Sequence, residues 1–224
     1  MIQYNTVEEA LEDISKNKSP NVVTMINTIK PYGRWEKICG KGRILPAFPG
    51  AGGCIEGGIL DAQLLPRAIQ PTTFGEIGGR KSSREEALAY IFRKSHIPYQ
   101  IVPEMHHWQI SHLGVIIPLA DAYYQSRHPE KICANEKLMT LTAYRMKKNL
   151  KWIAQKGMLC PAKLYMIKDM PTGMLAVVLS RVYQSEFGNK FLYRHAMHAP
   201  EEFQRLHQEF YNYMKTHTKE SNKA

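Results

Sequence analysis

The segment Tyr99-Gln-Ile-Val102-Pro103-Glu-Met-His-His-Trp108-Gln-Ile-Ser-His-Leu-Gly-Val-Ile-Ile-Pro118 is where one kind of sequence pattern gives way to another. Tyr99 to Val102 is a short β-favouring run stopped by proline, which predicts a strand. From Glu104 to Gln125 the middle is almost wholly apolar, which predicts a buried central helix with a disturbance near Pro118. Upstream of this segment, helical and strand-like patterns alternate, and downstream only helical patterns follow. The expected fold class is therefore α/β plus all-α, with an α/β domain over 1–102 and an all-helical domain over 103–224.

Several upstream signals support the first half. Thr6 to Glu9 has capping-box spacing, followed by Val7, Leu11 and Ile14 on one helical face up to Ser19-Pro20. Asn21 to Ile26 reads as a buried strand, Arg34 to Ile38 as a short helix closed by Gly40 and Gly42, and Ile44 to Phe48 as a further strand. The stretch Pro49-Gly-Ala-Gly-Gly53 reads as turns between strands. Ile59 to Leu65 and Ala68 to Ile77 read as strands bounded by Pro66 and Pro71, and Ser83 to Glu86 as a second capping box.

Downstream, Glu136 to Lys156 places Met139, Met146, Leu150 and Ile153 on one face, with Lys147, Lys148 and Lys151 off it. Met174 to Tyr183 is expected to be a buried helix. Pro200-Glu-Glu202 opens the last helix, with Phe203, Leu206, Phe210 and Tyr213 at helical spacing. The tail from Thr216 is polar and expected to fray.

With 224 residues, 44% hydrophobic and 22% charged, the chain can bury a sizeable core, which excludes a disordered polymer. Apolar runs are too short for a membrane helix, and no basic-then-apolar leader opens the sequence. The four cysteines form no CxxC or Cys/His spacing, so reduced thiols and a cytoplasmic location are expected. The net charge of +10 splits into +3 up to Val102 and +7 beyond it. A nucleotide cofactor would suit that excess, as would a merely solvated basic surface. Nucleic-acid binding through Lys147, Lys148 and Lys151 is not expected, because the aromatics of that helix are accounted for as core.

Gly50-Ala-Gly52 follows a strand, but Ile55 stands where GxGxxG needs its third glycine, so the dinucleotide fingerprint is absent. Its glycines would permit close approach of a ligand or simply tight turning. His106, His107 and His112 lie at spacings that share no helical face, so no metal site is expected.

Taken in order, Asn21-Val-Val-Thr-Met-Ile-Asn-Thr-Ile-Lys-Pro-Tyr-Gly33, Ile69-Gln-Pro-Thr-Thr-Phe-Gly-Glu-Ile-Gly78, Ser83-Arg-Glu-Glu-Ala-Leu88 and Trp108 to Leu119 resemble the ketopantoate reductase (2-dehydropantoate 2-reductase) family. The resemblance implies the later strands of a Rossmann domain followed by a helical domain, NADP as cofactor, and a small 2-keto acid or related carbonyl as substrate in a cleft between the domains. It places the family's cofactor-side asparagine on Asn27, the small residue facing the cofactor on Gly52, and a structural strand glycine on Gly75. Gln109 falls at the position of the catalytic lysine, and Leu113 and Ile117 at those of the substrate-binding asparagines. The family's first strand and GxGxxG turn would precede residue 1. The implied chain is thus a truncated, divergent member, inactive alone and without NADPH binding. It would act as a homodimer or with a separately encoded N-terminal half. The expectation from another class is a non-catalytic binding or oligomerisation module that keeps the family fold.

Overall fold

The computed structural model describes residues 7–221, so the capping box expected at Thr6 lies outside the described residues. The chain forms two compact units, one up to His106 and one from His107.

The first unit opens with α1 (Val7–Lys16), β1 (Val22–Met25), α2 (Gly33–Cys39) and β2 (Ile44–Phe48). β1 and β2 pair in parallel with Val22 opposite Ile44 and Met25 opposite Ala47, so α2 is the crossover of a βαβ unit. α1 and α2 lie together through buried Leu11, Trp35 and Cys39. Arg43, just before β2, donates to the carbonyls of Cys39, Asn17 and Ser19, which fixes the turn into the strand.

β3 (Ala51–Glu56) and β4 (Ile59–Leu64) form a separate antiparallel hairpin. The glycine-rich stretch expected to be turns is thus largely strand. The turn itself is Gly57-Gly58, where φ values of 57° and 79° give both central residues the left-handed conformation that a two-residue hairpin loop demands. β5 (Thr72–Phe74) is far shorter than the strand expected over Ala68 to Ile77. Pro66 starts a turn in which Ile69 and Gln70 both donate to its carbonyl, so the chain enters the sheet only after Pro71.

α3 (Ser83–Lys94) follows, capped by Ser82, whose Oγ accepts from Glu85 N–H at 3.2 Å. The cap stands one residue earlier than the sequence pattern suggests. β6 (Tyr99–Ile101) closes a four-stranded sheet in the order β1-β2-β5-β6, with β2 and β5 antiparallel and β5 and β6 parallel. Ala47, Phe74, Ala89 and Phe92 form its core, and the Phe74, Phe92 and Tyr99 rings meet at 5.6–6.2 Å between centroids. Gly75 is required by packing, since a Cβ there would stand 2.0 Å from the Val102 carbonyl oxygen. That supports the structural role expected for it.

The second unit is built on α4 (Met105–Gln125), which starts just before the division and runs unbroken through Pro118. A 3-10 turn at Pro129–Ala134 leads to α5 (Glu136–Gln155), α6 (Lys163–Asp169) and α7 (Thr172–Gln184). A π-helical segment at Gly188–Tyr193 then leads to α8 (Arg194–His198) and α9 (Pro200–Ser221). The α5 face carrying Met139, Met146, Leu150 and Ile153 is buried, as its periodicity predicts. α7 is buried on one side only, through Leu175, Leu179 and Tyr183. Met174, Val177 and Val178 are exposed, because a 3.6-residue repeat cannot turn every apolar residue toward one core. The tail expected to fray remains helical to Ser221 because α5 holds it. Trp152 Nε1 donates to Thr218 Oγ1 at 2.8 Å, and Lys156 Nζ donates to the His217 carbonyl at 2.8 Å.

Candidate functional site

In the first unit, the carboxyl ends of the parallel pair β1 and β2 point to one edge of the sheet, the usual place for ligands in α/β folds. Asn27 follows β1 there and is only 4% exposed, yet its Oδ1 accepts no hydrogen bond among the described residues. A buried carbonyl oxygen without a donor costs about 1–3 kcal/mol.

The surrounding loop is rigidly made. Thr28 Oγ1 accepts from Lys30 N–H at 3.1 Å, and His106 Nε2 meets the Ile29 carbonyl at 2.9 Å. Tyr32 packs edge-on to Trp35 at 5.5 Å and to His106 at 6.4 Å. Gly52, the other expected cofactor contact, follows β2 but lies within β3, paired with Gln63. Both residues therefore lie beyond the carboxyl ends of adjacent strands, Asn27 in the connecting loop and Gly52 in the hairpin.

The loop after β5 carries a largely buried ion pair, with side chains 18% and 10% exposed at Arg84 and Glu76, that sequence reasoning passed over. Glu76 accepts from Arg84 Nε at 2.6 Å, and its other oxygen meets Arg84 Nη2 at 2.5 Å, while Ser82 Oγ donates to the first. The Arg84 bond is the main cause holding the Glu76 carboxyl below the usual range, with the Ser82 bond acting in the same sense against the cost of burial. Arg84 also donates to the Ile44 carbonyl, so the pair clamps α3 to the start of β2. Glu76 lies in a loop and Arg84 in α3, so no periodicity within one element links them in the sequence.

In the second unit, Gln109 is 1% exposed, and Leu113 and Ile117 are buried with it along α4. The position expected for a catalytic cation therefore holds a buried, uncharged amide. Two residues further along α4, Ser111 Oγ donates to the Met158 carbonyl and accepts from Cys160 N–H, a structural brace. His112 stacks on Trp108 with centroids 5.0 Å apart. Burial, aided by the nearby His195, pulls its ring down to about 3, so it is neutral at physiological pH.

No protein-family model matches the chain, and no curated protein matches it. Solved structures do. A 2-dehydropantoate 2-reductase from Geobacter metallireducens GS-15 superposes with a TM-score of 0.50 at 16% identity, over 83% of this chain and 62% of that one. The fold is ketopantoate-reductase-like. A D-mandelate dehydrogenase in complex with NADH superposes with a TM-score of 0.56 at 12% identity, over 96% of this chain and 78% of its own. The chain thus spans 62% of the length of the Geobacter reductase. Among the described residues, no helix is long and apolar enough to cross a membrane.

Proposed function

We propose that the chain belongs to a nicotinamide-dependent reductase acting on a small 2-keto acid or related carbonyl, with NADP as cofactor and Asn27 as a cofactor contact. The observation that carries this reading is the buried, unpaired Asn27 Oδ1 beyond the carboxyl end of a parallel strand. Such an acceptor fits a carboxamide N–H or a ribose hydroxyl of the cofactor. The backbone around Gly52 offers a close approach beside it. When bound, the cofactor supplies hydride chemistry. The residues present fit its nicotinamide end better than its pyrophosphate, because the sequence holds no GxGxxG turn.

A paired experiment tests this. Fluorescence titration with NADPH is expected to show no micromolar phase, while millimolar NADPH shifts the Asn27 carboxamide resonances in an NMR spectrum. Asn27→Ala should remove the perturbation at neighbouring residues. Unmoved Asn27 resonances would overturn its role as a contact, and saturable micromolar binding would overturn the division between the two ends of the cofactor.

A second reading, a non-catalytic module that self-associates, is favoured by two observations. Gln109 is enclosed and uncharged, and one hairpin face is apolar and open. Ala51, Gly53 and Ile55 pair with Leu64, Ala62 and Leu60 on that face, with Ile55 and Leu60 exposed at 71% and 68%. A second copy would cover it; the alternative partner is a separately encoded half that adds a strand beside β1. Concentration-independent monomer mass by light scattering would dispose of self-association.

A further inference from the structure

A polar cluster on three helices of the second unit is untouched by the reading above. Asp121 on α4 meets His207 Nδ1 on α9 through both carboxylate oxygens, at 2.9 and 3.0 Å. Asp121 is sheltered, with its side chain 13% exposed, whereas His207 is 43% exposed. The carboxylate therefore holds the imidazole from behind, and Nε2 has no partner among the described residues. One turn later on α9, Tyr211 stands edge-on to His207 at 4.7 Å. Its Oη accepts from Asn149 Nδ2 at 3.4 Å, and Asn149 also donates to the Gly114 carbonyl at 3.2 Å. The Tyr211 hydroxyl hydrogen is consequently left to donate elsewhere.

Arg145 completes the set. α5 and α9 run side by side in the same direction, since Asn149 meets Tyr211 and Lys156 meets His217. One turn back from that first contact lie Arg145 on α5 and His207 on α9, so helical spacing brings them to one level. Burial raises the Tyr211 hydroxyl and the Arg145 charge acts against that rise, and Arg145 makes no ion pair among the described residues. Of the acids on these helices, Asp121 is engaged by His207 and Glu209 by Arg205 at 3.2 Å, while burial first, and then Asp121 and Glu202, raise Tyr124, which itself donates to the Ala196 carbonyl. With His207 protonated, Asp121, His207 and Arg145 together carry one net positive charge.

We propose that Arg145, His207 Nε2 and the Tyr211 hydroxyl form a binding site for an oxyanion, the carboxylate or phosphate group of a small ligand. A guanidinium, an imidazole N–H backed by a carboxylate and a hydroxyl offer donors of the kind that recognise such groups. Asn149 is a positioning residue that aims Tyr211.

The test is NMR titration of the whole chain at pH 6.5 with inorganic phosphate and, separately, with acetate, each against chloride at equal ionic strength. Saturable shifts of the His207 ring and Arg145 Nε resonances with a dissociation constant of about 1 mM or tighter are expected. Arg145→Gln should weaken binding about tenfold and Tyr211→Phe about threefold, the latter with unchanged melting temperature. Lys151→Gln removes one charge elsewhere on α5 and should leave affinity unchanged. Tighter phosphate than acetate binding assigns the site to phosphate esters, and parity or the reverse order assigns it to carboxylates. Absence of saturable shifts, equal loss in Arg145→Gln and Lys151→Gln, or full affinity in Tyr211→Phe would overturn the proposal.

Discussion

Asn27 and Asn149 are both almost fully buried, at 4% and 1% exposed, yet the two units treat their carboxamides in opposite ways. In the helical unit, Asn149 Nδ2 is shared between the Gly114 carbonyl and Tyr211. In the sheet unit, Asn27 Oδ1 is withdrawn from water and has no donor among the described residues. A buried amide that bonds its own fold is part of the scaffold, whereas one left open costs stability and marks where a ligand can return it. Burial alone would have ranked the two as equivalent; hydrogen-bond accounting separates them.

The largest test of what a paired buried group contributes is Glu76→Gln, which leaves the Arg84 guanidinium without its carboxylate. A loss of about 3 kcal/mol in urea unfolding at pH 7 is expected. Glu76 is held below its ordinary range in the folded chain, so its contribution is present above the unfolded-state pKa and lost as pH falls through the folded one. Glu85 opposes it, because burial raises that carboxyl. Acid titration of wild type and Glu76→Gln should therefore converge at low pH, and parallel curves would remove the ion pair as the cause.

Asn149→Ala should cost about 2–3 kcal/mol, through an orphaned carbonyl and a cavity beside Leu150. His112 is depressed to about 3 by burial, so the unfolded chain binds the extra proton between that value and the ordinary 6.5. Stability should rise with pH across this window, by up to about 1.4 kcal/mol per unit, and His112→Gln should flatten the slope. The smallest effect belongs to Asn27→Ala, with a stability change within about 1 kcal/mol of wild type, because relief of the unpaired oxygen offsets the space left by the side chain. Equal destabilisation by Asn27→Ala and Asn149→Ala would break the contrast between the two sites.

Much of the architecture is legible along the chain. The β-branched run around Val22, the amphipathic spacing of α5 and the change of pattern after Val102 each report a local preference with a single period. The second strand of the hairpin is legible as the run from Ile59 to Leu65, but the first is not, because Gly52 and Gly53 carry no strand propensity and their pairing depends on β4. The cap of α3 was placed one residue late because Ser82 and Ser83 are chemically alike, and only the bond to Glu85 N–H distinguishes them. Asn27 was named by resemblance, but its open oxygen is a property of everything around it.

Periodicity, composition and proline placement were sufficient for the succession of a mixed α/β unit and a helical one, since each depends on neighbours within a few residues. The clamp between Glu76 and Arg84, the enclosure of Gln109 and the meeting of Asp121 with His207 across 86 residues of chain needed the folded arrangement. Hydrogen bonds and desolvation act over a few ångströms in space, and no local pattern records which distant side chains the packing of the core will bring within that range.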